Sequence, residues 1–98
     1  MSADTTRKAP ARESLLAVHQ FPGEYVIKAF GPGHDEFHLA VVAAAHAELH
    51  PDRVIVQTRV TNSGGRQCVT LTLHALTVEE VEALYERLHL LETLQLIL

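Results

Sequence analysis

A four-stranded antiparallel sheet with two helices on one of its faces, an α+β sandwich in the order βαββαβ, is the architecture this chain predicts. Three observations carry it. Period-two apolar alternation marks four strand-like segments, and two segments of helical periodicity separate them. One short glycine-rich connection joins the second and third strands, so those two form a hairpin. The remaining connections are then crossovers, and right-handed crossovers put both helices on the same side.

Each element has its own warrant. Residues 1–14 carry Asp4, Arg7, Lys8, Pro10, Arg12 and Glu13 with almost nothing to bury, and read as a flexible N-terminal tail before a single domain over 15–98. Leu15–Val18 forms the first apolar cluster, a short helix or extended arm capping the domain. Phe21-Pro22-Gly23 then punctuates the chain. Tyr25 to Phe30 alternates Tyr25, Ile27 and Ala29 against Val26, Lys28 and Phe30, which predicts a strand. Gly31-Pro32-Gly33 ends it, and Asp35 is placed to cap a helix. That helix spans Glu36 to Leu49: its alanines favour it, and Phe37, Val41 and Ala44 make one stripe with Ala40 and Ala45. Pro51 terminates it.

Val54, Val56, Thr58 and Val60 alternate with Ile55, Gln57, Arg59 and Thr61 in the second strand. Asn62-Ser63-Gly64-Gly65 turns the chain, because Asn and Gly tolerate positive φ. The third strand sets Val69, Leu71 and Leu73 against Cys68, Thr70, Thr72 and His74. Thr77-Val78-Glu79-Glu80 matches a capping box, followed at helical spacing by Val81, Leu84, Tyr85 and Leu88. Leu94, Leu96 and Leu98 alternate with Gln95 and Ile97 as the last strand. The expected core is Tyr25, Ile27, Ala29, Phe37, Val41, Val54, Val56, Val69, Leu71, Leu73, Val81, Leu84, Leu88 and Leu96. This arrangement is the ferredoxin-like split βαβ fold.

Composition bounds the function. With 47% apolar and 20% charged residues over 98 positions, the chain supports one globular core without metal or disulfide staples. Its single cysteine, Cys68, suits a reducing, cytoplasmic setting, and no secretory leader or membrane span is read from it. A net charge of −4 argues against nucleic acid and anionic membranes as partners, although Arg53, Arg59 and Arg66 leave room for a local basic patch.

Several segments together look familiar. Phe21-Pro22, Tyr25-Val26-Ile27-Lys28-Ala29-Phe30-Gly31, the turn at Ser63-Gly64, Val69-Thr70-Leu71-Thr72, Leu84-Tyr85-Glu86-Arg87-Leu88 and Leu94-Gln95-Leu96-Ile97-Leu98 resemble the YbeD-like family of small bacterial proteins of unknown function. The resemblance runs from about Leu15 to Leu98. It implies a ferredoxin-like fold similar to the regulatory ACT domains, assembly into dimers, and a regulatory link to lipoate metabolism. It carries over no catalytic residue. Relatives commonly place Lys, Gly and an aromatic near the hairpin turn, where this chain has Ser63-Gly64-Gly65-Arg66.

Candidate sites follow. The loop Gly31-Pro32-Gly33-His34 lies where the first strand hands over to a helix, and helix-start amides beside glycine suit a carboxylate or phosphate. Lys28, Gly31, Gly33, His34 and Asp35 are therefore the candidate ligand-binding residues, against the simpler reading of a tight turn. The histidines number seven; His34/His38 and His46/His50 have i,i+4 spacing, but the two pairs diverge around a helix, and no metal or other cofactor is expected. The outer sheet face exposes Val26, Phe30, Ile55, Arg59 and Ile97, read as an interface for a homodimer or for the N-terminal arm. Cys68 is expected to be inert, since His74 lies roughly 20 Å along the strand.

Other uses of the fold lack their residues. The third strand has no stacking aromatics for RNA, a C-x-x-C metal loop needs a second cysteine, and the first loop has no arginine for acylphosphatase chemistry. A non-catalytic regulatory or adaptor protein, binding a small anionic effector or a partner protein, is the leading expectation. A small hydrolase using Lys28, His34 and Asp35, and a pure protein-interaction subunit, are the alternatives.

Overall fold

The computed structural model describes residues 10–98. Its elements are helix α1 (Arg12–Val18), strand β1 (Gly23–Pro32), helix α2 (Asp35–Glu48), a 3₁₀ turn (Pro51–Arg53), β2 (Val54–Val60), β3 (Arg66–Ala75), α3 (Val78–His89) and β4 (Leu96–Ile97). The sheet is antiparallel throughout, in the order β2-β3-β1-β4, consistent with a ferredoxin-like fold. Of the expected tail, residues 1–9 lie outside the described residues. Arg12, Glu13 and Ser14 instead open α1, because Leu15 buries itself in the core and Arg12 pairs with Glu82 of α3.

Alternation decides the layers. β1 buries Tyr25, Ile27 and Ala29, and β3 buries Val69, Leu71 and Leu73 on the same side. Phe37, Val41, Ala44 and Ala45 of α2 and Val81, Leu84, Tyr85 and Leu88 of α3 close over them. Tyr85 keeps its polar tip satisfied by a 2.9 Å hydroxyl–hydroxyl hydrogen bond with Tyr25, and its burial pushes the phenol well above the usual range.

Three expectations change. Leu96 is only half-buried, and Ile97 is the inward residue of β4, since it pairs with Ala29 of the core-facing row. Ile97 therefore leaves the expected interface. Val54 and Val56 are half-buried because β2 is an edge strand. Asp35 does not cap α2: His34 holds that position, without a side-chain cap bond, and Asp35 and Glu36 supply negative charge to the first turn.

The start of α3 is stapled to the sheet. The Thr77 hydroxyl accepts the Glu80 amide at 3.3 Å, and Glu80 Oε1 accepts the Leu76 amide at 2.8 Å. Both Glu80 oxygens also take hydrogen bonds from Arg53, each at 3.0 Å, and Arg53 Nη1 donates to the His74 carbonyl at 3.1 Å. These bonds from Arg53 hold the Glu80 carboxyl below its ordinary 4.5, with burial opposing and the Leu76 amide assisting. A depressed carboxyl contributes stability above its unfolded pKa and loses it as pH falls through the folded value. Glu80→Gln should thus be less stable than wild type at pH 7 and converge on it as pH falls through the lowered folded value of the carboxyl, as read by urea midpoints across pH. Parallel curves would remove this staple from the account of acid stability.

Candidate functional site

The glycine loop is built for packing. A Cβ on Gly31 would come 2.5–2.7 Å from the buried Phe37 ring, and one on Gly33 would run into the Gly64 carbonyl of the hairpin turn. Gln67, a buried polar residue, closes this junction: its Nε2 donates to the Pro32 carbonyl at 2.8 Å and to the His34 carbonyl at 2.7 Å. The loop is thereby tied to the β3 end of the hairpin. Lys28 is elsewhere. Its side chain lies on the sheet face away from the helices, and Gly33 is roughly 16 Å farther along the chain at strand spacing. So the structure gathers Gly31, Gly33, His34 and Asp35 at one junction and separates Lys28 from them.

What Lys28 does join is a set on the open sheet face. Cross-strand register aligns Arg59, Cys68, Phe30 and Leu96 in one row, and Gln57, Thr70 and Lys28 in the next. A third row holds Ile55, Thr72 and Val26. Lys28, Phe30, Gln57, Thr58, Arg59, Cys68 and Thr70 line a shallow depression of about 560 Å³. Arg66 lines the adjoining hollow beyond Phe30, its guanidinium carbon 5.8 Å from the centre of the Phe30 ring, a cation–π contact. The face is thus graded, with cations at the hairpin end and Val26 and Ile55, 43% and 62% exposed, at the other.

The charges sort by side. Arg12 pairs with Glu82 and Glu79, Arg53 with Glu80, and Arg87 with Glu48. Lys28, Arg59 and Arg66 form no ion pair among the described residues. The acid of β1 on their face, Glu24, stands opposite His74, roughly 13 Å along the strand from Lys28. Among the described residues, a negative chain has therefore placed its unpaired cations together.

Cys68 is half-buried between Arg59 and Phe30, with Thr70 Oγ1 at 3.7 Å. Among the described residues no three His, Cys, Asp or Glu side chains gather as a metal site. His38 shares a 2.8 Å hydrogen bond with Thr58, and His50 accepts the Asp52 amide at 3.1 Å. The N-terminal arm does not cover the sheet face as far as it is described, since α1 lies against α3. Arg66 is the site residue that sequence reasoning undervalued. The third strand starts at Arg66 rather than at Cys68, and its parity puts Arg66 on the same face as Cys68.

No curated protein matches the chain. The model for a protein family of unknown function, DUF493, matches residues 17–98. On that match, which spans α2, α3 and every strand of the sheet, the chain belongs to the DUF493 (YbeD) family of small proteins of unknown function.

Proposed function

We propose that this protein is a non-catalytic binding module, regulatory or adaptor in role, which receives an anionic group on the open sheet face. The carrying observation is the trio Lys28, Arg59 and Arg66, beside Phe30 and without a carboxylate partner among the described residues, while Arg12, Arg53 and Arg87 are all paired. Unpaired guanidinium and ammonium groups around the Phe30 ring suit a carboxylate or phosphate, with arginine offering a planar fork to either. The lipoate link implied by family resemblance fits the same gradient, since an acid on an aliphatic chain would lay its tail toward Val26 and Ile55. A non-catalytic reading is favoured by Cys68, whose neighbours are Arg59, Phe30 and Thr70 rather than a general base.

Amide chemical-shift titrations with sodium phosphate and with lipoate test this. Both should move the amides of Lys28, Arg59, Cys68 and Arg66, and lipoate should extend the shifts to Val26 and Ile55. The variant Lys28→Ala/Arg59→Ala/Arg66→Ala should weaken binding roughly tenfold or more, as loss of charge-assisted hydrogen bonds does. Shifts confined to His34, Asp35 and Glu36, or no shifts with either probe, would overturn the proposal.

A further inference from the structure

Strand β2 closes one side of the sheet, and among the described residues no strand pairs with its outer edge. Edge strands are normally blunted by shortness, proline, lysine or a bulge, because their free amides and carbonyls pair with other strands. β4 at the opposite side is short, covering only Leu96–Ile97. Apart from the single charge of Arg59, β2 has none of these devices. Its sequence, Val-Ile-Val-Gln-Thr-Arg-Val, contains no Pro, Gly or Lys, and its register with β3 runs unbroken from Val54↔Leu73 to Val60↔Gln67. Val60 is 50% exposed although it lies on the side that holds the core.

The direction of the free groups can be read from the hairpin. The Thr61 amide donates to the Arg66 carbonyl at 2.9 Å, and these residues continue the β2–β3 register. Hydrogen bonding alternates along an antiparallel pair. Arg59, Gln57 and Ile55 therefore also face β3, while Val60, Thr58, Val56 and Val54 turn their backbone groups to the open edge. The Val54 amide is already donated to the Pro51 carbonyl, so this edge is free from the Val54 carbonyl onward.

We infer that the β2 edge pairs with the same edge of a second copy, antiparallel about a twofold axis at Gln57, joining two sheets into one. The occupant is specified by self-complementarity. Centred on Gln57, all of β2 overlaps, and Val56 faces Thr58 and Val54 faces Val60 of the second copy, all through edge-directed backbone groups. The branched side chains on the core side then meet across the axis. On the other face Ile55 lies opposite Arg59, so like charges are not opposed. Face-to-face stacking of two sheets would instead bring Lys28, Arg59 and Arg66 against a second cationic set. The edge contact leaves the anion-binding face open in both copies, so it stands independently of the function proposed above.

Disulfide trapping tests the register. At the axis the Gln57 residues form a non-hydrogen-bonded pair, whose Cα separation of about 4.5 Å suits a disulfide. In a Cys68→Ser background, Gln57→Cys should oxidise to a covalent dimer. Ile55→Cys alone should not, because its two copies lie roughly 14 Å apart, yet an equimolar mixture of Ile55→Cys and Arg59→Cys should cross-link. Wild type should sediment at twice the monomer mass at tens of micromolar, and Thr58→Pro, which removes an edge amide outside the β2–β3 ladder, should sediment as monomer with unchanged circular dichroism. Wild type that stays monomeric, or Gln57→Cys that cross-links no faster than Ile55→Cys, would overturn the inference. The trapping result stands even if Thr58→Pro fails to fold.

Discussion

Replacing Leu71 with alanine should cost about 2–5 kcal/mol of folding free energy, read as a lower urea midpoint at unchanged slope. Leu71 sits on the central strand β3, fully buried, with Ile27 and Val56 as its cross-strand neighbours. Helices α2 and α3 cover this side of the sheet, so the void left by the lost side chain has no flexible wall to collapse into. Small domains have only about 5–15 kcal/mol in total, so this one change removes a large share. Leu39→Ala is the matched control. That leucine is 62% exposed on α2, and its loss should stay within about 0.5 kcal/mol. Comparable losses at both positions would mean that the core does not lie between the sheet and the helices.

Gly33→Ala should destabilise by about 1–3 kcal/mol with no ligand present, because the added methyl overpacks a junction walled by backbone. It would meet the Gly64 carbonyl oxygen and come 3.0 Å from its carbon and 3.2 Å from the Arg66 nitrogen. None of these can swing aside as a side chain would. Gly64 has φ +76° and donates its amide to Thr61, so the turn has little freedom to yield. Gly65→Ala, whose methyl would meet only Ser63 Oγ at 3.6 Å, should be nearly neutral. A thermal melt of the three proteins separates the readings of this loop. A Gly33→Ala variant that melts with wild type would return the loop to candidacy as a ligand cradle.

Most of the fold was legible because the patterns were unambiguous where burial is one-sided. Tyr25 to Phe30 and Cys68 to His74 alternate cleanly, so their inward rows were read correctly residue by residue. β4 was misread by one position for a physical reason. Leu94, Leu96, Ile97 and Leu98 are apolar at both parities, and a slip of one residue exchanges the two faces without changing the pattern's quality. Pairing with Ala29 settled what alternation left degenerate. The core members Leu15 and Tyr85 fall outside the expected core because one belongs to a short apolar segment resembling an arm and the other carries a hydroxyl whose partner, Tyr25, is distant in sequence.

The candidate site was less legible than the fold. Sequence pattern alone assigns Lys28 to a ligand site, Phe30 and Arg59 to an interface, and Cys68 to neither. Their union depends on cross-strand register, which sets Arg59 beside Cys68 and Cys68 beside Phe30. Equally, no local motif shows that Gln67 reaches the Pro32 and His34 carbonyls, or that Gly33 abuts Gly64. Those contacts join segments far apart in the chain, and they give the loop a packing role that its own residues do not announce.

The sorting of charges between the two sides also makes the molecule an electric dipole. Exposed Glu36, Glu79 and Glu86 stand on the helical side, while the sheet side carries Lys28, Arg59 and Arg66. For the anion site proposed above, such a body would turn in the field of an approaching anion before contact, and capture would proceed faster than its overall negative charge allows. That advantage fades once added salt shortens the Debye length to about 8–10 Å, below the spacing between the two layers of charge.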